Sequence, residues 1–408
     1  MKIAILHYSS PPNVGGVESV LAHHALLMAK AGHEVTILAG RGEVFDNRIP
    51  VRILPRLDSR HAEVIKIKKN LDTGNVPRSF DALRDQIKMD LMAELQGFDL
   101  LIAHNVASLH KNLALTAALN QAYQTPGFPR LILWHHDLAW TTRRYLPDMH
   151  DGYPWNVLRS KWAGATHVTI SKIRRKELSD QLGIAEESIH VIPNGVDLNT
   201  FFKLETRTIQ LIEQLMLNQA DPLLLLPVRI TERKNIELAL RTLVALRIYF
   251  PNAMLLVTGP EGSHNPANAA YKGKLLKLRS ELKLQGAAHF LAEVTDETLP
   301  DAIVADFYRL ADALIFPSFE EGFGIPIIEA GFNSIPVFCA DIPVLRELGG
   351  DEASYFGTHA KPDSIAKQIA DRLEGEATSR LARRVKHGYT WDSIYRLQIG
   401  PLIREVMA

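Results

Sequence analysis

Short apolar runs, each closed by glycine, proline or charged residues, alternate along this chain with longer stretches in which apolar positions recur every three or four residues. Runs of strand length occupy residues 2–8, 34–39, 99–103, 130–134, 167–170 and 190–192, and helical spacing occupies residues 17–31 and 80–95 between them. A second series of strand-like runs covers residues 223–228, 253–258, 289–291, 311–316 and 336–338. Alternation of this kind predicts a parallel sheet with helices on both faces, so the two series predict two doubly wound α/β domains. The join falls between residues 197 and 221, just after the phrase VIPNGVD at residues 191–197, where Asn194 and Gly195 make a turn. The predicted division is residues 1–197, residues 198–388, and a closing amphipathic segment at residues 389–408. Residues 41–79 are polar and poorly periodic and read as an irregular insertion.

Composition narrows the class without changing this outline. A chain of 408 residues exceeds what one core usually covers, and a hydrophobic content of 46% is ample for two. Lys and Arg number 46, as do Asp and Glu, so the formal net charge is zero and there is no broad basic footprint for nucleic acid or an anionic membrane. The single cysteine, Cys339, lies in an apolar run and reads as a small core residue in a reducing compartment. The first residues, MKIAILHY, run straight into a strand without a basic leader, and no apolar stretch approaches the ~18 residues a membrane span needs. A soluble, cytoplasmic protein is expected.

The chemistry concentrates in PSFEEGFGIPIIEAG, residues 317–331. An apolar strand ends before it, its first half is rich in breakers, and helical spacing resumes at Ile325. Pro326 falls in the first helical turn, where a missing N–H costs nothing, and the free amides of Phe323, Gly324 and Ile325 point toward an anion with the helix dipole behind them. Glu321 on the loop and Glu329, about one and a half turns into the helix, reach different parts of one elongated ligand, and carboxylates are strong acceptors for sugar hydroxyls.

Three other loops add to this site. SSPPNVGGVES, residues 9–19, sets Gly15 and Gly16 where a backbone can approach a ligand without a Cβ in the way, and it lacks the G-x-G-x-x-G spacing of nicotinamide dinucleotide binding. In LPVRITERKNIELAL, residues 226–240, Arg229 stands at a strand end and Lys234 just before a helix, two cations suited to charge that accumulates on a departing diphosphate. Gly259 in LLVTGPEGSHNPANAAY, residues 255–271, occupies the usual place for a loop under a nucleotide base or phosphate, with HNPAN lengthening that loop. No D-x-D occurs, so no carboxylate pair presents itself for a divalent metal on a diphosphate, and no metal is expected. LWHHDLAW, residues 133–140, ends a strand with His135 and His136, which alternation sends to opposite faces and which therefore suit a shared metal poorly. His104 in LIAHN is either a substrate contact or a satisfied half-buried ring, and Ser171 in VTISK reads first as a helix N-cap.

Taken together these residues resemble the retaining glycosyltransferases of family 4, whose E-x7-E motif matches Glu321 and Glu329. The resemblance implies the α/β GT-B fold, two doubly wound Rossmann-like domains facing across a cleft, with the last helix crossing back onto the first domain. It implies that Glu321 lies by the transferred sugar, that Glu329 holds the ribose hydroxyls, and that the loop and helix start from Gly322 through Phe323, Gly324 and Ile325 bind the donor, their amides touching sugar and phosphates. It further implies that the Gly15–Gly16 pair donates amides to the donor diphosphate, that Arg229 and Lys234 are the family's Arg/Lys pair, and that a histidine at the strand end, His136 with His135 in reserve, lies near the sugar. The implied activity is transfer of a hexose, mannose or glucose, from a GDP-, UDP- or ADP-sugar to an acceptor hydroxyl, with retention, without a metal, and by a front-face route. A carbohydrate or other small hydroxyl compound is the expected acceptor, with peripheral membrane contact the lesser option. The alternatives are a GT-B sugar-nucleotide epimerase, which needs no acceptor, and a non-catalytic nucleotide-sugar or glycan-binding protein.

Overall fold

The computed structural model describes residues 1–12, 15–260, 266–295 and 299–408. The chain divides into two compact units, one made of Met1–Gly195 with Ile394–Ala408 and the other of Val196–Ser393.

The sheet of the first unit contains β1 (Lys2–His7), β2 (Glu34–Ala39), β3 (Val51–Ile53), β4 (Leu100–His104), β5 (Arg130–His135), β6 (Thr166–Thr169) and β7 (Ile189–Val191). All neighbours are parallel, in the order β3-β2-β1-β4-β5-β6-β7. The second unit holds β8 (Leu223–Leu226), β9 (Met254–Val257), β10 (Ala288–Phe290), β11 (Ala313–Phe316), β12 (Val337–Ala340) and β13 (Ser354–Phe356), also parallel, in the order β10-β9-β8-β11-β12-β13. Both sheets are doubly wound, and together they make the two-domain α/β architecture of the GT-B fold. In each sheet the strand order reverses once, between β1 and β4 and between β8 and β11. Loops leaving the carboxyl ends of such neighbouring strands diverge to opposite faces and open a crevice, which is where α/β sheets bind ligands.

The strands form where aliphatic runs can be buried on both faces. β4 is buried throughout, as are the four leucines of β8, and each fully buried Leu contributes roughly 1.5–3 kcal/mol. β8 stops at Leu226, short of the expected residue 228, because Pro227 has no N–H to continue the ladder. Arg229 therefore lies in the following loop and not at the strand end. The expected irregular insertion at residues 41–79 is also corrected, since it contains β3 and the helix Ala62–Leu71. That helix buries Val64, Ile67 and Leu71 on one side and carries lysines on the other, while β3 is an edge strand with an exposed Ile53, so neither shows as a strong apolar run. The last elements are Trp391–Ile394, a wider turn at Tyr395–Ile399, and the helix Gly400–Met407. No helix of the described residues is long and apolar enough to cross a membrane.

Candidate active site

Two loops at the reversal point of the second sheet build the polar site of that unit. After β8, the segment Glu232–Lys234 makes one tight turn, and Asn235 in a left-handed conformation (φ 51°) starts the helix Ile236–Tyr249. The Asn235 amide donates to Pro317 O at 3.1 Å and to Thr358 O at 3.0 Å, and Phe319 N donates to Arg233 O at 2.8 Å, which ties this loop to the one after β11. The result is a contact between residues far apart in sequence. Lys234 Nζ donates to Glu321 Oε1, and Arg233 Nη1 lies 3.8 Å from Glu321 Oε2. The side chains of Lys234 and Glu321 are only 9% and 8% exposed. Lys234 also sits 5.4 Å from the centre of the Phe316 ring. Burial lowers the pKa of Lys234, Glu321 raises it again, and the charges of Arg233 and Arg229 lower it further. Arg229 itself is exposed.

Gly259 stands just past the end of β9, and its role in the fold is steric. A Cβ there would lie 2.1 Å from Val228 O and 2.6 Å from Arg229 N, so only glycine lets the two segments pack, with Ile230 N donating to Pro260 O at 3.1 Å. Residues 261–265 of the long loop that follows, including the first two of HNPAN, lie outside the described residues.

The helix Ile325–Phe332 begins at Gly324, whose φ of 108° favours glycine and whose Cβ would meet Leu345 Cδ2 at 2.7 Å. Pro326 lies in its first turn, and Glu329 is its fifth residue, little more than one turn in. Within the first turn Pro326 has no N–H and Ile327 N already donates to Gly324 O at 3.0 Å, which leaves the amides of Gly324 and Ile325 without an intrahelical acceptor. Phe323 and Ile325 are exposed beside them. Tyr308, itself buried, donates its hydroxyl to Glu329 Oε2 at 2.6 Å, and burial followed by this carboxylate raises the tyrosine pKa strongly. Gly322 differs from its neighbours, because a Cβ there meets nothing within 4 Å.

The reversal point of the first sheet carries a cluster of histidines. His7 ends β1, His104 ends β4, and His136 follows β5. The His7 Nδ1–H donates to His104 O at 2.9 Å, and His104 Nδ1 lies 3.0 Å from His136 Nε2 with the rings stacked. His24, from the helix Gly16–Lys30, packs edge-on against Trp134. Burial is the first cause of low pKa throughout, bringing His136 to about 3, His24 to about 3 and His7 to about 4, while His104 falls well below 6.5. His135 turns to the other neighbour, with Nε2 3.0 Å from His167 Nδ1. His136 and His135 thus go to different neighbours, and His104 is fully buried behind His136.

Asn105, left-handed at φ 59°, accepts from His136 N at 2.8 Å and Asp137 N at 3.2 Å through its Oδ1 and so fixes the turn that presents His136. Gly15 precedes the helix Gly16–Lys30, and a Cβ on it would meet the Glu18 carboxylate, which Ser9 Oγ holds at 2.5 Å. A Cβ on Gly16 meets nothing within 4 Å among the described residues. Ser171 caps the helix Lys172–Leu182, accepting from Arg174 N at 3.2 Å. Asn105, Tyr308 and Glu18 were missed from sequence; the only local signal was Asn105 following a strand, where that residue type tolerates a left-handed backbone. Away from both reversal points, Asp72, His110 and Asp148 could hold a metal by geometry, but Lys68 Nζ already bonds Asp72 Oδ1 at 2.6 Å and lies 3.8 Å from Asp148.

Comparison with known proteins matches residues 14–200 to the family described as Glycosyltransferase Family 4 and residues 208–391 to Glycosyl transferases group 1. The chain is 27% identical to a mannosylglucosylglycerate synthase of Petrotoga mobilis over 274 residues, 62% of each chain. It is 24% identical to an MMP alpha-(1->4)-mannosyltransferase of Mycolicibacterium hassiacum over 97% of this chain and 96% of that one. Among solved structures, a sucrose-phosphate synthase of Thermosynechococcus elongatus matches 99% of this chain and 98% of its own at 18% identity, with a TM-score of 0.39.

Proposed function

The chain belongs to glycosyltransferase family 4 and is a hexosyltransferase, and from that premise we propose that it moves a hexose from a nucleoside-diphosphate sugar to an acceptor hydroxyl, with retention and without a metal ion. The observation that carries the donor reading is the meeting of Lys234 with Glu321 at the reversal point of the second sheet, with Glu329 just inside the adjoining helix. The mannosyl names of the relatives weigh toward mannose over glucose.

In this reading the ribose hydroxyls donate to Glu329, and the hexose hydroxyls donate to Glu321, which orients the sugar. Lys234 and the exposed Arg229 hold the diphosphate as the glycosidic bond breaks and charge develops on its leaving oxygen. That oxygen takes the proton of the incoming hydroxyl on the same face, so the new bond forms where the old one stood. His136, kept neutral by burial, is a hydrogen-bonding group and not a cation. The lack of D-x-D supports protein cations in place of a metal. A cytoplasmic setting belongs to the same reading, supported by the lone and buried Cys339.

Calorimetric binding of GDP, UDP and ADP and their hexose conjugates, with and without EDTA, tests the donor site on the wild type and on Glu329→Ala. Binding that survives EDTA and weakens in the variant supports the reading, whereas no binding to any of them removes it. Product analysis by NMR tests the chemistry: an inverted anomer excludes retention, sugar conversion without acceptor indicates an epimerase, and binding without turnover across a broad acceptor panel indicates a binding protein.

A further inference from the structure

Lys234 and Glu321 each occupy the other's binding capacity. Both side chains are more than nine-tenths buried, so their contact is weakly screened, and Arg233 at 3.8 Å adds a second cation to the same carboxylate. A diphosphate entering this crevice competes with Glu321 for the Lys234 ammonium. We propose that Glu321 is the specificity element by which the site prefers a nucleoside diphosphate that still carries its hexose over one that has lost it.

The inference rests on the donor-site reading above, and the physical reason is a difference in what each ligand offers Glu321. Hexose hydroxyls donate to a carboxylate and can replace Lys234 as its partner, which frees the ammonium to turn to the phosphates. A free nucleoside diphosphate offers no such donors and brings a terminal phosphate with additional negative charge. Glu321 then keeps its claim on Lys234 and repels the phosphate across a site of low dielectric. The same carboxylate therefore favours one ligand and disfavours the other, and the spent nucleotide is expelled once the hexose has left.

The test is calorimetric binding to Glu321→Gln, which keeps the side-chain size and removes the charge, using the nucleotide that the wild type binds. The free nucleoside diphosphate is expected to bind about tenfold more tightly and its hexose conjugate about tenfold more weakly. Glu321→Ala must move the ratio the same way, which covers a glutamine variant that fails to fold. Glu329→Gln is the control, since both ligands carry the ribose and both should weaken alike. If the wild type binds neither ligand, the donor-site reading itself fails. If it binds both, and the Glu321 variants shift the two ligands in the same direction or not at all, this inference is overturned while the donor site stands.

Discussion

Tyr308 shows how a single buried hydroxyl can orient a carboxylate, here the one proposed to hold a ribose. Its O–H donates to Glu329 Oε2 at 2.6 Å, which fixes the plane of the carboxylate and leaves Oε1 for a ligand. Tyr308→Phe removes that constraint and is expected to weaken nucleotide binding about three- to tenfold, the net weight of one ordinary hydrogen bond. Titration with 2′- and 3′-deoxyribonucleoside diphosphates checks it: a smaller loss on the deoxy ligands fits an effect through Glu329, and an equal loss on all ligands does not. Lys234→Ala is expected to lower turnover by roughly 10²–10³-fold, because in the proposed reaction its charge acts as the diphosphate departs. Steady-state kinetics on the folded variant decide this, and near wild-type kcat would remove the mechanism. Glu321, Glu329 and Lys234 were legible in the sequence because each stands in a local pattern of strand, loop and helix. Tyr308 and Asn105 were not, since each acts on a backbone or side chain brought near only by folding, 31 residues away in the case of Asn105 and His136.

At the level of elements, the two glycines Gly259 and Gly322 separate packing from binding. A Cβ on Gly259 would run into backbone, 2.1 Å from Val228 O and 2.3 Å from Val228 C, so neither neighbour can yield by a rotamer change. Gly259→Ala is expected to destabilise the protein by about 2 kcal/mol or more and to disturb the loop that carries Arg229. Gly322→Ala should leave stability within about 0.5 kcal/mol, because nothing lies within reach of its Cβ, yet weaken donor binding if a sugar or phosphate approaches the backbone there. Thermal melts and nucleotide titrations on the two variants read the contrast, and unchanged donor affinity in Gly322→Ala would argue against ligand approach at that loop. Most strands were legible to within two or three residues, because parallel strands buried on both faces are continuous apolar runs. β3 and β13 escaped notice for the complementary reason: each is a three-residue edge strand, half open to solvent, and owes its pairing to a neighbour.

For the molecule as a whole, the balanced charge conceals an uneven titration. Seven histidines of the first unit, His7, His24, His104, His110, His135, His136 and His167, are buried with pKa values pushed below 6.5, mainly by loss of hydration. Unfolding hydrates these rings, so below about pH 6.5 the unfolded chain binds protons that the folded chain does not, and stability falls as the pH falls toward the folded-state values. Each ring can contribute up to about 1.4 kcal/mol per pH unit within that window. The midpoint of thermal unfolding is therefore expected to be level near pH 7–8 and to drop steeply between about pH 6.5 and 5. A level midpoint down to pH 5 would mean that the rings are hydrated or already paired as cations. Sequence showed His104, His135 and His136 at strand ends but not their depth, which depends on packing between neighbouring strands. Activity should follow a different curve from stability. His136 reaches only about 3, and each phosphate of a nucleotide sugar carries one ester and one anhydride bond and keeps no acidic proton of the phosphate-monoester kind, so neither titrates near pH 6.5. Well below the unfolding temperature, kcat/KM is accordingly expected to pass from about pH 7.5 to 5.5 without a histidine-type inflection. An inflection near 6.5 that persists at low temperature would require a solvated histidine at the reacting sugar, and would remove the buried, neutral His136 from the chemistry.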